Sequence, residues 1–360
     1  MTIETRPSAA HRWTKCSAAP LFASRAGPQP TSDAAREGTC AAWVAELMLA
    51  TNRPDPQVGM MHENGWEVDA DMIGHMQEYA DICRADGGEM WVEEYVTLSN
   101  RIGGTLDCAT LADGVLTVRD LKYGFRLVSP DSPQLIVYAA AILIAPPGPV
   151  RTIRTEIYQP RGFHQDGPRR WIDWTPDQIR AKAKWIIERA EECYKPDPIA
   201  TPGDHCLYCD GAVGCVALQQ TTATALAIAE MTGHRDRTPA EMAQALHFYR
   251  NALEIIKAAA KATEVEAEAR AKRGERLPGW GITTRYGTSR VSKPPHVIKA
   301  LTGKDATKTV PMNVGELRAA GLTKAQLAVI TERPTTGFKL EHLDQDTLTR
   351  QLNRTNGGTP

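Results

Sequence analysis

Apolar residues recur at helical intervals from Ala34 to Ala50, where Trp43, Leu47 and Ala50 run beside Val44 and Met48. A helix is expected there, stopped at Asn52-Arg53-Pro54, and a second from Asp69 to Ala85. The pattern then shortens to strand-like runs at Met90 to Leu98, Ile102 to Leu111 and Val115 to Leu121. Ala112-Asp113-Gly114 separates the last two, and Asp-Gly between β-branched runs is a strong hairpin signal because both turn residues need positive φ. Ser132-Pro133 starts a helix with a capping hydroxyl and a proline at the first helical position, and Pro146-Pro147 closes it. A strand follows over Thr152 to Gln159, and the capping box Thr175-Pro176-Asp177-Gln178 opens a helix through Trp185 towards Tyr194. This helix-strand-strand-helix-strand-helix order predicts an α/β core.

The flanks are less regular. Residues 1 to about 30, rich in Ala, Ser and Pro, are expected to be loosely ordered, with Trp13 and Cys16 as anchors. A second capping box, Thr238-Pro239-Ala240-Glu241, opens a long helix on which Met242, Leu246, Tyr249, Leu253, Ile256 and Ala260 alternate at spacings of four and three. Such a seam packs on a partner surface, and intramolecular packing is expected ahead of a coiled-coil dimer. Beyond Gly274 a strand at Gly281 to Tyr286, short helices around Val297, Leu317 and Leu327, and a disordered tail from Asn353 to Pro360 are expected. There is no internal repeat. The expected organisation is an N-terminal segment (1–33), a core (34–220) and a basic, mainly helical C-terminal extension (221–360).

A chain of 360 residues is long enough for two or three folding units, and 42% apolar with 24% charged residues excludes wholesale disorder. The longest apolar run, Leu135 to Ala145, is far short of the roughly 20 residues of a membrane span, and the polar start lacks the apolar core of an export signal. A cytoplasmic protein is expected. The net charge of −1 hides an asymmetry: 13 acidic against two basic residues between Glu37 and Glu94, but ten basic against two acidic from Arg270 to Lys308. That pattern suits a metal-using, polyanion-binding protein as well as it suits two solvated faces.

The hairpin carries the candidate chemistry. If Asp113-Gly114 form a two-residue turn, Ala112 faces Val115 and Asp107 faces Asp120, with Lys122 on the same face two positions along. Paired carboxylates repel unless a cation sits between them or one is protonated. Two aspartates and a lysine around a metal-sized gap are what phosphodiester hydrolysis needs: hard oxygen ligands for Mg²⁺ and an ammonium beside the attacking water. A lone D-x-K is usually a surface ion pair; the opposed Asp107 is what raises it.

Gly104-Thr105-Leu106-Asp107, Asp120-Leu121-Lys122 and Gln134-Leu135-Ile136-Val137-Tyr138 resemble, in order, the G-x-x-D, D-x-K and Q-x-x-x-Y motifs of the RecB-like branch of the PD-(D/E)XK nuclease superfamily. Glu37-Gly38-Thr39 with Glu46 is similar to its first-motif helix, and Gln159-Pro160-Arg161 to a strand end in a phage and prophage family of the DUF2800 type. The likeness covers residues 11–220, more weakly the long helix and Leu277-Pro278-Gly279-Trp280. It implies a restriction-endonuclease-like α/β core in which Asp107, Asp120 and the Leu121 carbonyl bind Mg²⁺ or Mn²⁺, Lys122 supports the attacking water, Glu46 completes the acidic site, and Gln134 and Tyr138 touch it or the DNA backbone. The sequence departs from the pattern at Ala42, where RecB-like enzymes commonly carry a metal-binding histidine; Glu46, one turn on, is the expected substitute. His62 and His75 are expected to be surface or internally satisfied histidines.

Three of the eight cysteines form Cys206-x2-Cys209-x5-Cys215, one thiolate short of a four-coordinate site. Iron–sulfur nucleases of this branch place one cysteine before the core and such a group after it. The resemblance therefore implies a [4Fe–4S] cluster on Cys16, Cys206, Cys209 and Cys215, with Zn²⁺ as the rival and His205 as a possible substitute ligand. Cys40, Cys83, Cys108 and Cys193 read as buried small hydrophobes.

Arg151 to Lys184 holds eight basic and four acidic residues interleaved with Trp171 and Trp174, a composition suited to phosphate contact and base stacking, or to a solvated face. Arg161, Arg169, Arg170 and Trp171 are the expected nucleic-acid contacts. The function expected is a Mg²⁺-dependent DNA exonuclease of phage-type recombination, working beside a single-strand annealing or binding protein. The alternative is a catalytically silent DNA-binding or scaffold protein of the same fold.

Overall fold

The structure is a computed structural model describing residues 3–26, 31–50, 54–231, 238–286 and 335–342. The chain divides into two compact units, Met1–Lys261 and Ala262–Pro360. The first unit begins with the short helices α1 (Ala10–Trp13) and α2 (Ala19–Ala26), then α3 (Asp33–Leu49) and α4 (Ala70–Ala85). Ser32 caps α3 and Asp69 caps α4, each side chain accepting from a first-turn amide. Three antiparallel strands follow as a meander, β1 (Glu89–Ser99), β2 (Ile102–Ala112) and β3 (Val115–Leu121). Helix α5 (Pro133–Ile142) crosses over to β4 (Thr152–Tyr158), which lies parallel to β3, and β5 (Arg169–Trp174) adds an antiparallel edge. The result is a five-stranded mixed sheet in the order β1-β2-β3-β4-β5. Helices α6 (Pro176–Cys193), α7 (Val216–Met231) and α8 (Pro239–Lys272) follow. In the second unit β6 (Trp280–Tyr286) pairs with β7 (Thr335–His342).

Two apolar layers cover the sheet. Leu116, Val118, Ile153 and Ile157 pack with α5 and α6 on one face, and Cys108, Leu121 and Tyr158 pack with α3 and α4 on the other. The turn at Asp113-Gly114 takes positive φ at both residues, 49° and 75°, and sets Ala112 opposite Val115 as the spacing predicts. The α/β core, the three meander strands, α5 and the Thr175 capping box form where the sequence places them.

Four elements depart from expectation. The N-terminal segment is packed, not loose: Ala10 and Trp13 are buried in the core, and buried Thr5 donates to the Arg101 carbonyl at 2.6 Å. Strand β5 carries no apolar alternation and was not expected; ladder bonding to β4 and the Arg154–Asp173 pair at 2.7 Å hold it at the sheet edge. Helix α7 was likewise not expected. The seam on α8 faces outward, with Met242 at 49%, Leu246 at 55% and Leu253 at 50% exposure, while the small side chains of Ala252 and Ala258 are the buried ones. The helices expected around Val297, Leu317 and Leu327, most of the basic block and the C-terminal tail lie outside the described residues. Among the described residues no helix is long and apolar enough to cross a membrane.

Strand β3, which delivers Asp120, is fixed by a buried ionic network. Arg119 donates to Glu156 on β4 at 2.8 Å and to Asp86 at 2.5 Å, with the Arg119 and Glu156 side chains at 0% exposure. Arg169 adds a second pair to Glu156, at 2.8 Å. Removing one partner leaves an uncompensated buried charge. Glu156→Ala is therefore expected to cost about 3–5 kcal/mol, read from denaturant midpoints; a loss under about 1 kcal/mol would show that Arg119 is relieved by Asp86 alone.

Candidate active site

The ladder between β2 and β3 runs from Ala112↔Val115 to Cys108↔Arg119 and stops there. One step further, Asp107 and Asp120 replace backbone pairing with side-chain contacts: Asp107 Oδ2 accepts from Leu121 N at 2.7 Å, and Lys122 Nζ donates to Asp120 Oδ1 at 2.8 Å. Strand alternation puts Asp120 on the α5 face with Leu116 and Val118, and Arg119 on the α4 face. Because β3 and β4 are parallel, the end of β3 that carries Asp120 and Lys122 lies beside the end of β4, and Lys122 N donates to the Tyr158 carbonyl at 2.9 Å.

The electrostatics are those of carboxylates brought together out of water. Burial, then the charge of Asp120, pushes the Asp107 carboxyl up to about 7, against the opposing pull of Lys122 and Leu121 N–H. Burial by itself would lower Lys122, but Asp120 and Asp107 outweigh it and hold the ammonium more basic than an ordinary lysine. Asp120 is 1% exposed.

A further carboxylate, Glu93 on β1, was not expected. Val92 pairs with Cys108 and Glu94 with Leu106, so Glu93 stands across from Asp107, with a φ of 49° that few non-glycine residues adopt. Burial, then Asp107, then Glu46 push its carboxyl up to about 7, which brings Glu46 of α3 into electrostatic reach of the same group. The acidic run between Glu37 and Glu94 was the only hint in the sequence, and it did not single out Glu93.

On α5, Gln134 Nε2 reaches Tyr138 Oη at 3.5 Å, and Tyr138 is 3% exposed. Its hydroxyl is held above the ordinary tyrosine range by burial and then by the charges of Asp107, Asp120 and Glu93, which places it against the acidic group. Asp107, Asp120, Lys122, Glu46, Gln134 and Tyr138 thus gather at one end of the sheet. Among the described residues no three His, Cys, Asp or Glu side chains close round a single metal-sized point; Asp107 is turned onto Leu121 N–H and Asp120 onto Lys122.

The cysteines expected to share one ligand do share one place. Cys16, Cys206, Cys209 and Cys215 line the same small cavity with Phe22, His205 and Leu218. Thr201 N donates to Cys16 Sγ and Gly203 N to Cys206 Sγ, each at 3.4 Å, contacts that suit thiolates. Burial, and then the neighbouring cysteines, push the Cys206 thiol up to about 11. His205 directs Nε2 to the Thr201 carbonyl at 2.9 Å. Cys40, Cys83, Cys108 and Cys193 are fully buried.

The expected nucleic-acid residues have other bonds. Arg170 is buried, donating to the Val128 carbonyl at 2.8 Å and to Gln159 Oε1 at 2.7 Å. Arg169 is committed to Glu156, and Arg161 pairs with Glu37 at 2.7 Å. Trp171 is 47% exposed between the guanidinium groups of Arg154 and Arg169. His75 Nδ1 lies 3.2 Å from the Tyr123 hydroxyl and His62 accepts from Asn64 N at 3.2 Å, so both histidines are internally satisfied.

The family model described as "Protein of unknown function (DUF2800)" matches residues 5–326, a span that takes in every side chain of the acidic group and all four cysteines. No curated protein matches the chain.

Proposed function

This chain belongs to the DUF2800 family, and with the acidic end of the sheet as the starting point we propose that it is a metal-dependent deoxyribonuclease with a PD-(D/E)XK-type core. The observation that carries this reading is the Asp107–Asp120–Lys122 arrangement: a half-buried Asp107 carboxyl that accepts from Leu121 N at 2.7 Å and is pushed up to about 7 by burial and by buried Asp120, with an ammonium bonded to Asp120 at 2.8 Å. Such a donor set fits a hard divalent cation, Mg²⁺ or Mn²⁺, with Asp107, Asp120 and the Leu121 carbonyl as ligands and Glu46 and Glu93 at its margin. When bound, the cation would polarise a phosphodiester and lower the pKa of a water. Lys122, kept protonated by two aspartates, orients the attacking water and balances charge as the phosphorane-like state forms. Tyr138 and Gln134 hold the wall of α5 against the site and offer polar groups to the phosphate backbone.

The four cysteines are proposed to hold a [4Fe–4S] cluster, with Zn²⁺ as the alternative. The cluster would tie the N-terminal segment to the end of the core, away from the chemistry.

The test is direct. Purified protein with Mg²⁺ and labelled linear DNA should release nucleotides, and Asp120→Ala should not; identical behaviour of the two proteins would sink the nuclease reading. Ala42 favours a second reading, a catalytically silent DNA-binding protein of the same fold, because alanine stands where a histidine ligand is expected. Ala42→His adds an imidazole to the half-buried helix face one turn before Glu46. It is expected to tighten metal affinity about tenfold or more, and an unchanged metal titration would place this helix away from the metal.

A further inference from the structure

Past the acidic group, the loops that leave β3 and β4 form a second surface at the same end of the sheet. Leu121 pairs with Tyr158 in the parallel ladder, so residues 122–132 and 159–168 emerge side by side. They are laced by the buried amide of Gln159, whose Nε2 donates to the carbonyls of Gly124 and Arg126, each at 2.7 Å, and whose Oε1 accepts from Val128 N at 3.2 Å. Both residues flanking Phe125 are thereby fixed, and Phe125 is turned outward, 68% exposed. The Arg161 guanidinium stacks 4.2 Å from the Phe125 ring centre and 4.8 Å from that of Tyr123. The second loop is ordered by its own bonds, Gln159 N to the Pro168 carbonyl at 2.8 Å and Gly167 N to the His164 carbonyl at 3.0 Å. Gly162 is needed there, since a Cβ would come within 2.8 Å of the Gln159 side chain. This loop presents Phe163, 93% exposed.

Two rings held out into water by bonded loops gain nothing from burial within this fold. Their setting fits a nucleic acid better than a protein segment. Arg161, Arg169 and Arg170 keep their internal partners, but Arg126 is exposed next to Phe125, a charge that complements a polyanion, and Phe125 follows Lys122 by only three positions. Every unpaired base offers a flat π-face that an aromatic ring or an arginine-backed ring can cover. We propose that Phe125 and Phe163 form a base-stacking platform for the unpaired end of a DNA strand whose backbone passes Asp107, Asp120 and Lys122. This rests on the reading of the acidic group as a nuclease site and narrows its substrate to single-stranded or frayed ends.

The experiment compares binding of a labelled single strand and of the blunt duplex of the same sequence, by fluorescence anisotropy with Ca²⁺ replacing Mg²⁺. The double variant Phe125→Ala, Phe163→Ala is expected to weaken single-strand binding about tenfold or more while changing duplex binding by less than about twofold. The ratio should persist as salt is raised, because stacking, unlike phosphate contact, releases no counterions. Phe125→Trp with Phe163→Trp should keep wild-type affinity. Wild-type single-strand affinity in the double alanine variant would overturn the platform and leave the rings to a protein partner; an equal loss for strand and duplex would overturn it as well. A protein that binds this way but never cleaves keeps the platform and loses only the nuclease reading.

Discussion

Asp107→Asn is expected to abolish DNA cleavage and at the same time to make the metal-free protein more stable above neutral pH. Both effects come from the same group. The asparagine oxygen can still accept from Leu121 N, so the local bond at 2.7 Å survives, but the ligand charge is gone. Loss of an outer-shell partner costs roughly 10- to 100-fold in metal affinity or activity, and loss of a direct ligand should cost more. The stability effect follows from proton linkage. In the folded chain burial and Asp120 push the Asp107 carboxyl up to about 7, whereas in the unfolded chain it titrates in the usual range near 4. Below about pH 4 both states hold the proton and nothing is lost. As pH climbs from about 4 to about 7 the unfolded state ionises first, so this contribution to stability is lost, fully by pH 8.

The variant escapes that loss. It should exceed wild type by about 1–3 kcal/mol in chelator at pH 8, or roughly 2–4 °C in Tm per kcal/mol, and match it near pH 4. Addition of Mg²⁺ at pH 8 should raise the Tm of wild type and not of the variant. Lys122→Ala should also lose cleavage, but without the gain in stability, because it leaves Asp120 buried and unpaired. If Asp107→Asn instead lowers the Tm at every pH, with or without Mg²⁺, then Asp107 is part of a structural network and not a metal ligand.

Cys16→Ser carries the second large effect. Anaerobically purified wild type should be brown from thiolate-to-iron charge transfer, and the variant should lose most of that colour together with cooperative unfolding. The reason is topological: a ligand shared by Cys16 and Cys206 closes a loop of about 190 residues, and by chain entropy such a closure is worth about 5 kcal/mol. The N-terminal turn, α1 and α2 lie on one side of that closure, with Lys15 paired to Asp204 at 2.9 Å and Ala18 N bonded to the Ile199 carbonyl at 3.2 Å. The packing of Ala10 and Trp13 in the core remains in the variant, so the expected change is a loosening: limited proteolysis should cut the N-terminal segment faster in Cys16→Ser than in wild type. A colourless wild type with one zinc per chain would overturn the iron–sulfur assignment. Full metal content in Cys16→Ser would remove Cys16 from the ligand set.

Local chemistry determined much of this protein. Asp113-Gly114 dictates a tight turn, the turn dictates the register, and the register brings Asp107 to Asp120 with Lys122 beside them; each step depends only on neighbours in sequence. Capping residues Ser132 and Thr175 likewise mark the starts of α5 and α6 at the positions the residues announce.

Glu93 shows where that logic stops. The β1–β2 turn sets Ser99 opposite Ile102, and an unbroken ladder from there would have put Glu94 across from Asp107. An irregularity between Thr97 and Ser99 shifts the register by one, so Glu93 takes the place instead. Nothing in the residue pattern announces such a shift. Strand β5 was hidden for a related reason, since Arg169, Arg170 and Asp173 carry no apolar alternation and are held by ladder bonds and by Glu156 and Arg154, partners distant in sequence. The same network turns Arg169 and Arg170 from apparent phosphate contacts into internal bonds. Periodicity reports which residues want to leave water; which charge meets which, and which ring is left outside, is decided only when the sheet brings distant segments side by side.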